Sequence, residues 1–237
     1  MFVIPMAGLS SRFFKAGFKS PKYQLPLGSD TVFSWSVKSF SNYFTTDHFI
    51  FIYRDISDTK NFLLHEIQKI GIENYDLVCL PEETEGQADT VYRGIHKIMY
   101  DDCLYIFNID SKIIDFNKPK LADECDGYLE VFEGDGENWS FVLPGDKCTV
   151  IKTTEKDRIS NLCSDGLYYF KNKSVFEQLF LKAKRNCIKS RNEYYIAPLY
   201  NDLIRSGGKV FYNKVDPNKI LFCGTPDEYY KVLNSYK

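Results

Sequence analysis

Residues 2–27 of the chain read FVIPMAGLSSRFFKAGFKSPKYQLPL. An apolar run at residues 2–4 leads into a loop of small residues and then into fixed positive charge at Arg12 and Lys22. Small residues let backbone N–H groups approach an anion closely, and lysine and arginine supply net charge. The stretch therefore predicts a buried strand followed by a loop that binds a polyphosphate.

The bulk composition indicates a globular protein with a substantial core. The 237 residues are 44% hydrophobic and carry a formal net charge of -2. Because the charges nearly cancel, no overall field favours nucleic acid or an anionic membrane. We therefore expect no nucleic-acid partner and no membrane partner, and any basic site must be local.

Cysteine usage and the N-terminal residues bear on the cellular compartment. The seven cysteines are odd in number and widely spaced, which fits neither a metal knuckle nor a disulfide framework. Free thiols favour a reducing compartment. The first residues lack the basic and apolar regions of a signal peptide, and no run of about 18 apolar residues occurs. We expect a cytoplasmic protein.

Short apolar runs alternate with segments of helical period along the chain. Strands are predicted at residues 2–4, 48–53, 76–80, 103–109, 125–133, 139–143, 148–153, 164–170 and 209–215. Helices are predicted at residues 31–44, 58–70 with a cap at Ser57, 88–99, 174–185, 192–205 and from 226 onward. Three successive strand–helix units favour a parallel sheet, whose ligands bind at the carboxyl ends of the strands.

Asp110 and the opening loop both follow predicted strands. Both are therefore expected at the same edge of the sheet, with a phosphate-binding loop beside a carboxylate. No linker or low-complexity segment interrupts the chain. We predict a single domain over residues 1–237, with a nucleotide-binding half at 1–115 and an acceptor-binding half at 116–237.

The opening loop matches neither of two familiar phosphate motifs, because it lacks both G-K-[ST] and G-x-G-x-x-G. Taken alone, it is also compatible with a simple turn followed by surface lysines. However, Ala7-Gly8-x-Ser10-Ser11-Arg12 followed by Pro21-Lys22 resembles the signature loop of the nucleotidyltransferases that make NDP-sugars and related activated metabolites. In that family the loop reads roughly A-G-x-G-x-R, followed by P-K.

Further blocks resemble the same family, in the order in which the family carries them. They are residues 84–88 (TEGQA), 108–110 (NID), 155–156 (EK), 165–168 (DGLY), 192–195 (NEYY), 198–201 (PLYN) and 224–227 (GTPD). Together they are similar to the capsule and lipopolysaccharide branch of these enzymes. The resemblance implies a Rossmann-like three-layer sandwich, an α/β fold with a mostly parallel mixed sheet that glycosyltransferases of the GT-A type share.

The resemblance also implies roles for individual residues. It implies nucleotide binding by Met6, Ala7, Gly8, Leu9, Ser10, Ser11, Glu85, Gly86, Gln87, Ala88 and Asp110. It implies catalytic roles for Arg12, Lys22 and Lys156, and acceptor binding by Glu155, Lys156, Gly166, Glu193 and Trp139. Asp110 is the implied ligand of Mg²⁺, with Asp216 as a second candidate.

The implied reaction joins a nucleoside triphosphate to a phosphorylated small molecule and releases pyrophosphate. CTP is favoured only by resemblance to surface-polysaccharide cytidylyltransferases, because the amide of Gln87 donates and accepts and so does not separate pyrimidines from purines. Sugar phosphates, polyol phosphates, phosphocholine and glutamine phosphate all stay open as acceptors. A homodimer is also left open.

Two positions depart from the family pattern. Ser10 stands where the loop has its second glycine, so a Cβ and a hydroxyl must be accommodated there. Phe222 stands where some members carry a second metal-binding aspartate, two residues before Gly224-Thr225. Asp216 is the nearest upstream carboxylate, and a plain turn before Pro217 is the alternative interpretation.

Two other functions remain as alternatives. A GT-A glycosyltransferase would use an already activated sugar, but such enzymes typically carry D-x-D, whereas this chain has Asp110-Ser111-Lys112. A degenerate nucleotide-binding subunit would account for Ser10 and Phe222. Release of pyrophosphate from a free triphosphate separates the nucleotidyltransferase from both.

Overall fold

The computed structural model describes residues 1–236 of the chain. Thirteen strands lie in this range: β1 (Phe2–Pro5), β2 (Pro26–Leu27), β3 (Asp30–Thr31), β4 (Phe49–Tyr53), β5 (Tyr75–Cys79), β6 (Leu104–Phe107), β7 (Ser111–Ile113), β8 (Gly127–Glu133), β9 (Ser140–Pro144), β10 (Val150–Glu155), β11 (Leu162–Phe170), β12 (Val210–Lys214) and β13 (Ile220–Phe222). Seven α-helices accompany them: α1 (Ser11–Lys15), α2 (Val32–Val37), α3 (Thr59–Ile70), α4 (Gln87–Ile95), α5 (Lys173–Arg185), α6 (Tyr200–Arg205) and α7 (Pro226–Asn234).

Nine of these strands form one mixed sheet in the order β10-β9-β11-β6-β1-β4-β5, with β8 paired to β11 and β12. Pairing is parallel between β1 and β6, β4 and β5, and β8 and β12. Strand β11 runs antiparallel to β6, β8 and β9. The predicted α/β fold with a mostly parallel mixed sheet is confirmed.

The chain divides into two compact units. Unit 1 comprises Met1–Val3, Thr84–Phe107 and Lys118–Pro217. Unit 2 comprises Ile4–Glu83, Asn108–Asn117 and the residues from Asn218 onward. The single domain divided at residue 115 stays a prediction.

Unit 2 has a core in which the C-terminal helix packs beside the opening segment. Its buried members are Phe13, Leu25, Leu27, Val32, Trp35, Cys223, Tyr229 and Val232. All five residues of β4 are buried, as expected for an apolar central strand covered on both faces. A capping box between Thr31 and Ser34 starts α2, which continues as a 3₁₀ helix over Lys38–Tyr43.

Unit 1 is organised around β11, whose nine residues are all buried. The ring of Phe170 on this strand stacks on Tyr200 with centroids 4.5 Å apart. The hydroxyl of Tyr200 donates to the backbone carbonyls of Tyr128 and Tyr169, at 3.0 and 2.8 Å. These bonds satisfy a fully buried hydroxyl and join α6 to two strands.

The helix predicted at residues 192–205 is wrong in its first half. A 3₁₀ helix occupies Ala197–Leu199, and α6 begins only at Tyr200. Before it, the N–H of Tyr194 donates to the Glu85 carbonyl at 2.8 Å, and the Ala88 N–H donates to the Tyr194 carbonyl at 2.9 Å. These tertiary hydrogen bonds hold the segment in a non-helical path and override its helical period.

Two other helix predictions need correction. Helix α3 begins at Thr59 with Asp58 at the N-cap position, so Ser57 is not the cap. The Lys60 N–H donates to the carboxylate of Asp55 at 3.1 Å. Helix α4 ends at Ile95, so the helix predicted over residues 88–99 is too long, and the Met99 side chain at the end of that range is 96% exposed.

No helix within residues 1–236 is long and apolar enough to cross a membrane. The seven cysteines all lie in this range as free thiols.

Candidate functional site

The opening loop of unit 2 extends from the end of β1. The N–H of Met6 donates to the carbonyl of Ile52 at 2.8 Å, which fixes the start of the loop to β4. Met6 and Ala7 are buried, whereas Gly8 and Leu9 are exposed. A Cβ built on Gly8 has no atom within 4 Å, so the backbone there borders open space. The loop thus offers exposed backbone to a ligand at Gly8 and Leu9.

Ser10 ends the loop in a left-handed conformation, with φ 51° and ψ 30°. Helix α1 starts at the next residue, and its Arg12 side chain is exposed. Within residues 1–236, the guanidinium group of Arg12 makes no hydrogen bond or ion pair. Arg12 is therefore a cation that an incoming anion could bind without displacing a protein partner.

Lys22 and Asp110 are brought together in unit 2, as the sequence predicted for the loop and the carboxylate. The Nζ of Lys22 lies 2.5 Å from the Oδ2 of Asp110, and the two side chains are 22% and 23% exposed. Lys22 opens a 3₁₀ helix directly after Pro21, and Asp110 follows β6. The chemical roles of both residues stay predictions.

Gly224 lies against the same carboxylate. A Cβ built on Gly224 would lie 3.0 Å from the Oδ2 of Asp110, so a side chain there would crowd it. The Cys223 N–H donates to the Asp110 carbonyl at 2.7 Å. The carboxylate of Glu228 accepts from the N–H groups of Gly224 and Thr225, both at 2.9 Å. The 224–227 block is thus the capped start of α7, fixed beside Asp110.

The donor set beside Asp110 fits a Mg²⁺ ion that takes most of its ligands from substrate and water. Asp110 supplies one carboxylate, and Mg²⁺ is commonly bound by one or two carboxylates together with substrate phosphates. Across residues 1–236, no group of three or more His, Cys, Asp and Glu side chains is arranged to hold a metal. Phe222, which stands where some family members carry a second metal-binding aspartate, pairs with Ser111 in the β13–β7 ladder. Asp216, the candidate for a second carboxylate, is exposed and belongs to unit 1.

The 84–88 turn of unit 1 is built around Gly86, which has φ 126°. A Cβ on Gly86 would lie 2.7 Å from both the backbone nitrogen and the backbone oxygen of Tyr194. Only glycine fits so close an approach. The Tyr194 backbone is the same one that bonds Glu85 and Ala88 on either side. The turn therefore needs both the glycine and the non-helical segment at 190–196.

Asp89 stabilises this turn, although sequence reasoning did not single it out. The carboxylate is fully buried and accepts from the Glu85 N–H at 3.0 Å. It also pairs with Arg93 at 3.0 Å and with Lys184 at 3.4 Å. Burial alone would raise the pKa of Asp89, but these hydrogen bonds and charges lower it. An acidic residue in the first turn of α4 was the available signal.

Gln87 opens α4 and is half-buried.

Glu155 and Lys156 follow one another at the end of β10, also in unit 1. The Nζ of Lys156 donates to the Tyr195 hydroxyl at 2.7 Å and lies 3.7 Å from the Oε1 of Glu155. The Ser140 hydroxyl donates to the carboxylate of Glu155. Burial raises the pKa of Glu155, while the Ser140 bond and the Lys156 charge oppose the shift. The pair presents an ammonium group whose orientation is set by neighbouring side chains.

Asn201 fixes the strand that carries this pair, a role the sequence did not reveal. Its side-chain amide accepts from the Thr153 N–H and donates to the Thr153 carbonyl, both at 2.9 Å. An unpaired edge strand normally exposes these groups. The amide therefore takes the place of a neighbouring strand two residues before Glu155.

The other predicted acceptor residues have different surroundings. The indole N–H of Trp139 donates to the Asp135 carbonyl at 2.9 Å, and the Trp139 carbonyl accepts from the Lys156 N–H at 2.8 Å. Gly166 has φ 98° within a bulge of β11. The Glu193 side chain is exposed, and its charge raises the pKa of Glu155. Contact of these three residues with an acceptor stays a prediction.

The structure is similar to solved structures along nearly its whole length. The nucleoside-diphosphate-sugar pyrophosphorylase from Vibrio cholerae RC9 matches with a TM-score of 0.95 and 42% sequence identity, over 99% of this chain and 100% of that chain. A putative glucose-1-phosphate thymidylyltransferase from Bacillus anthracis, in complex with a sucrose, matches with a TM-score of 0.78 and 17% identity, over 99% and 94% of the two chains. The inositol-1-phosphate CTP transferase from T. maritima matches with a TM-score of 0.73 and 14% identity, over 100% and 95%.

The two matches below 25% identity establish a common fold only. No protein-family model matches the chain, and no curated protein matches it.

Proposed function

The chain belongs to the nucleotidyltransferase family that includes the nucleoside-diphosphate-sugar pyrophosphorylases, and on that basis we propose that it transfers a nucleotidyl group to a phosphorylated small molecule. An oxygen of the acceptor phosphate attacks the α-phosphorus of a nucleoside triphosphate. The bond from the α-phosphorus to the bridging oxygen breaks, and pyrophosphate leaves with that oxygen. The product is a nucleoside diphosphate linked to the acceptor.

The unit 2 residues bind the triphosphate in this proposal. The loop at residues 6–11 supplies backbone N–H groups, and Arg12 and Lys22 supply positive charge to the departing pyrophosphate. The exposed backbone at Gly8 supports this assignment, as does the guanidinium group of Arg12, which has no hydrogen bond or ion pair among residues 1–236. Such preorganised charge is worth most where negative charge develops in the transition state.

Asp110 is the residue we propose to hold Mg²⁺. The bound ion would neutralise charge on the α-phosphate and make the phosphorus more electrophilic. Gly224 leaves room at the carboxylate, and the contact with Lys22 orients it. Asp216 is kept as the proposed second carboxylate.

The unit 1 residues bind the nucleobase and the acceptor in this proposal. The 85–88 turn contacts the base, with Gln87 at the start of α4. Lys156 offsets repulsion between the acceptor phosphate and the triphosphate. The rest of the acceptor contacts four further residues, Glu155, Glu193, Gly166 and Trp139. The enzyme needs no nucleophile of its own, because aligning two anions and neutralising their charge supplies most of the catalysis.

CTP is the triphosphate that we favour, and a sugar phosphate, polyol phosphate or phosphorylated amino acid is the acceptor class. The product would serve the synthesis of a surface polysaccharide such as a capsule. Both choices rest on the sequence resemblance to cytidylyltransferases of that branch.

The contact between Lys22 and Asp110, in a chain 42% identical to a nucleoside-diphosphate-sugar pyrophosphorylase, is the observation that carries the proposal. The test is a matrix of CTP, UTP, dTTP, ATP and GTP against a panel of phosphorylated small molecules with Mg²⁺, read as pyrophosphate release. We expect release that requires one triphosphate and one acceptor together. Triphosphate binding without release across the whole matrix would contradict the proposal and favour a degenerate nucleotide-binding subunit.

A further inference from the structure

Ser10 occupies the position at which the signature loop has its second glycine. Its φ of 51° lies in the left-handed region, which disfavours any residue with a Cβ. Glycine adopts this conformation without strain, so the backbone explains the glycine of the family pattern. Serine differs from glycine at this position by its Cβ and its hydroxyl group.

The hydroxyl of Ser10 supplies a hydrogen bond that glycine cannot make. The Lys22 N–H donates to the Oγ of Ser10 at 3.1 Å, across 12 positions of sequence. The backbone carbonyl of Ser10 separately accepts from the Phe13 N–H at 2.9 Å. One residue therefore starts α1 and also holds the backbone of Lys22.

Lys22 is held at both ends as a result. Its backbone N–H is bonded to Ser10, and its ammonium group lies 2.5 Å from Asp110. The preceding Pro21 has no N–H and a fixed φ, so the Ser10 bond sets the position at which the 3₁₀ helix begins. A lysine side chain is long and flexible, and fixing its backbone reduces the freedom that must be lost when it binds a phosphate.

We propose that Ser10 is a positioning residue, whose hydroxyl oxygen fixes the Lys22 backbone so that the Lys22 ammonium group is aligned for the triphosphate. The ligand in this statement rests on the proposed function. The hydroxyl oxygen of Ser10 acts through Lys22 and not by contact with substrate.

Two substitutions separate this role from backbone strain. Ser10→Gly removes the hydroxyl and the strain together, and Ser10→Ala removes the hydroxyl but keeps the strain. We expect both to lower kcat by roughly five- to tenfold, the scale of one lost hydrogen bond. We expect Ser10→Gly to melt at or above the wild-type temperature, and Ser10→Ala to melt below Ser10→Gly. A variant that is as stable as wild type but slower is not explained by a merely structural role.

Ser57→Gly is the matched control. Ser57 is also a left-handed serine of unit 2, with φ 56°, and its hydroxyl makes no hydrogen bond within residues 1–236. We expect this change to relieve similar strain and to leave kcat unchanged. Wild-type kcat in Ser10→Gly would overturn the proposal.

Amide hydrogen exchange of Lys22 is a readout that needs no activity. The Lys22 N–H should exchange faster in Ser10→Gly and Ser10→Ala than in wild type, and Ser57→Gly should not change it. Equal exchange in all four proteins would overturn the proposal. If the wild-type protein releases no pyrophosphate from any triphosphate, the proposed function fails, and the exchange rates alone decide whether Ser10 holds Lys22.

Discussion

The ammonium group of Lys22 lies 2.5 Å from the carboxylate of Asp110, which is 88 positions farther along the chain. The two groups pair at a point where both side chains remain partly exposed. In the proposed function, a polyphosphate would bring new oxygen atoms for the lysine, and the carboxylate would then be available to a cation. The contact joins the opening segment of unit 2, which carries Lys22, to Asp110, and the proposed chemistry requires both.

Substitution of either partner should remove most of the activity. We expect Asp110→Asn and Lys22→Ala each to lower turnover by at least roughly a hundredfold, on the scale of lost transition-state electrostatics. The measurement is pyrophosphate release at saturating substrates. Lys15→Ala removes an exposed lysine from the same segment and should keep wild-type turnover. Wild-type rates in either site variant would contradict the assigned roles.

Gly86→Ala should destabilise unit 1 because its Cβ would lie 2.7 Å from two backbone atoms of Tyr194. We expect a loss of about 2–4 kcal/mol in the free energy of unfolding, from overpacking added to strain at a positive φ. Urea denaturation measures it. Gly71→Ala is the control, since Gly71 has φ +80° with no atom within 4 Å of its Cβ. It should lose only about 1–2 kcal/mol. Equal losses in the two variants would contradict the close approach.

The same contact explains where sequence reasoning failed. The period of apolar residues at 192–205 predicted one helix, but the Tyr194 backbone bonds to the 85–88 turn instead. Helical period records which side chains are apolar and contains no information on a partner segment about a hundred positions away. The nine strands of the large sheet were predicted within a few residues because apolar β-forming runs are local signals, whereas the two- and three-residue strands β2, β3, β7 and β13 were not predicted. The bond from the Lys60 N–H to the Asp55 carboxylate was missed because Asp55 lies three positions before the N-cap residue, Asp58.

The candidate site shows the same division between local and distant information. The loop, Asp110 and the 155–156 pair are contiguous motifs, and the sequence predicted the first two at one edge of the sheet. The bond from Lys22 to Ser10, the Asn201 amide on β10 and the Tyr195 hydroxyl on Lys156 each join residues that are distant in sequence. No spacing rule within one sequence reveals such pairs.

Tyr195→Phe should weaken acceptor binding specifically. The change removes the hydroxyl that accepts from Lys156 at 2.7 Å and keeps the ring, whose centroid is 4.6 Å from the ammonium group. We expect the KM of the acceptor to rise roughly five- to tenfold, with the KM of the triphosphate unchanged. Initial-rate kinetics with each substrate varied in turn provide the measurement. Tyr230→Phe, at a half-exposed tyrosine of α7, is the control. A matching rise in both KM values of Tyr195→Phe would contradict the role.

Two buried carboxyl groups should make stability depend on pH. Glu130 of β8 faces the bulge of β11 that contains Asp165, and one oxygen of each lacks a hydrogen-bond partner within residues 1–236. Burial raises the pKa of Glu130 well above its usual range and raises the pKa of Asp165 to about 6. The native state therefore keeps protons that the unfolded chain loses above about pH 4, and stability falls as the pH rises from there.

Glu130→Gln tests this directly. The amide keeps the shape, can donate to Asp165 and removes one titrating group. We expect the variant to be more stable than wild type at pH 8, with a slope of stability against pH that is shallower by up to about 1.4 kcal/mol per pH unit. Urea denaturation from pH 4 to 8 measures both quantities. Glu133→Gln changes an exposed carboxylate of the same strand and should leave the slope nearly unchanged. Destabilisation by Glu130→Gln to the same extent at every pH would contradict the prediction.

An acceptor whose phosphate oxygens carry ¹⁸O tests most directly whether the acceptor phosphate attacks the α-phosphorus of the triphosphate. If an oxygen of the acceptor phosphate attacks the α-phosphorus, all the label stays with the acceptor phosphorus, one labelled oxygen lies in the new bridge to the α-phosphorus, and the released pyrophosphate contains none. Isotope shifts in the ³¹P NMR spectrum of the products report both positions. Label in the released pyrophosphate, or transfer from an activated sugar without release of pyrophosphate, would contradict the proposed nucleotidyl transfer.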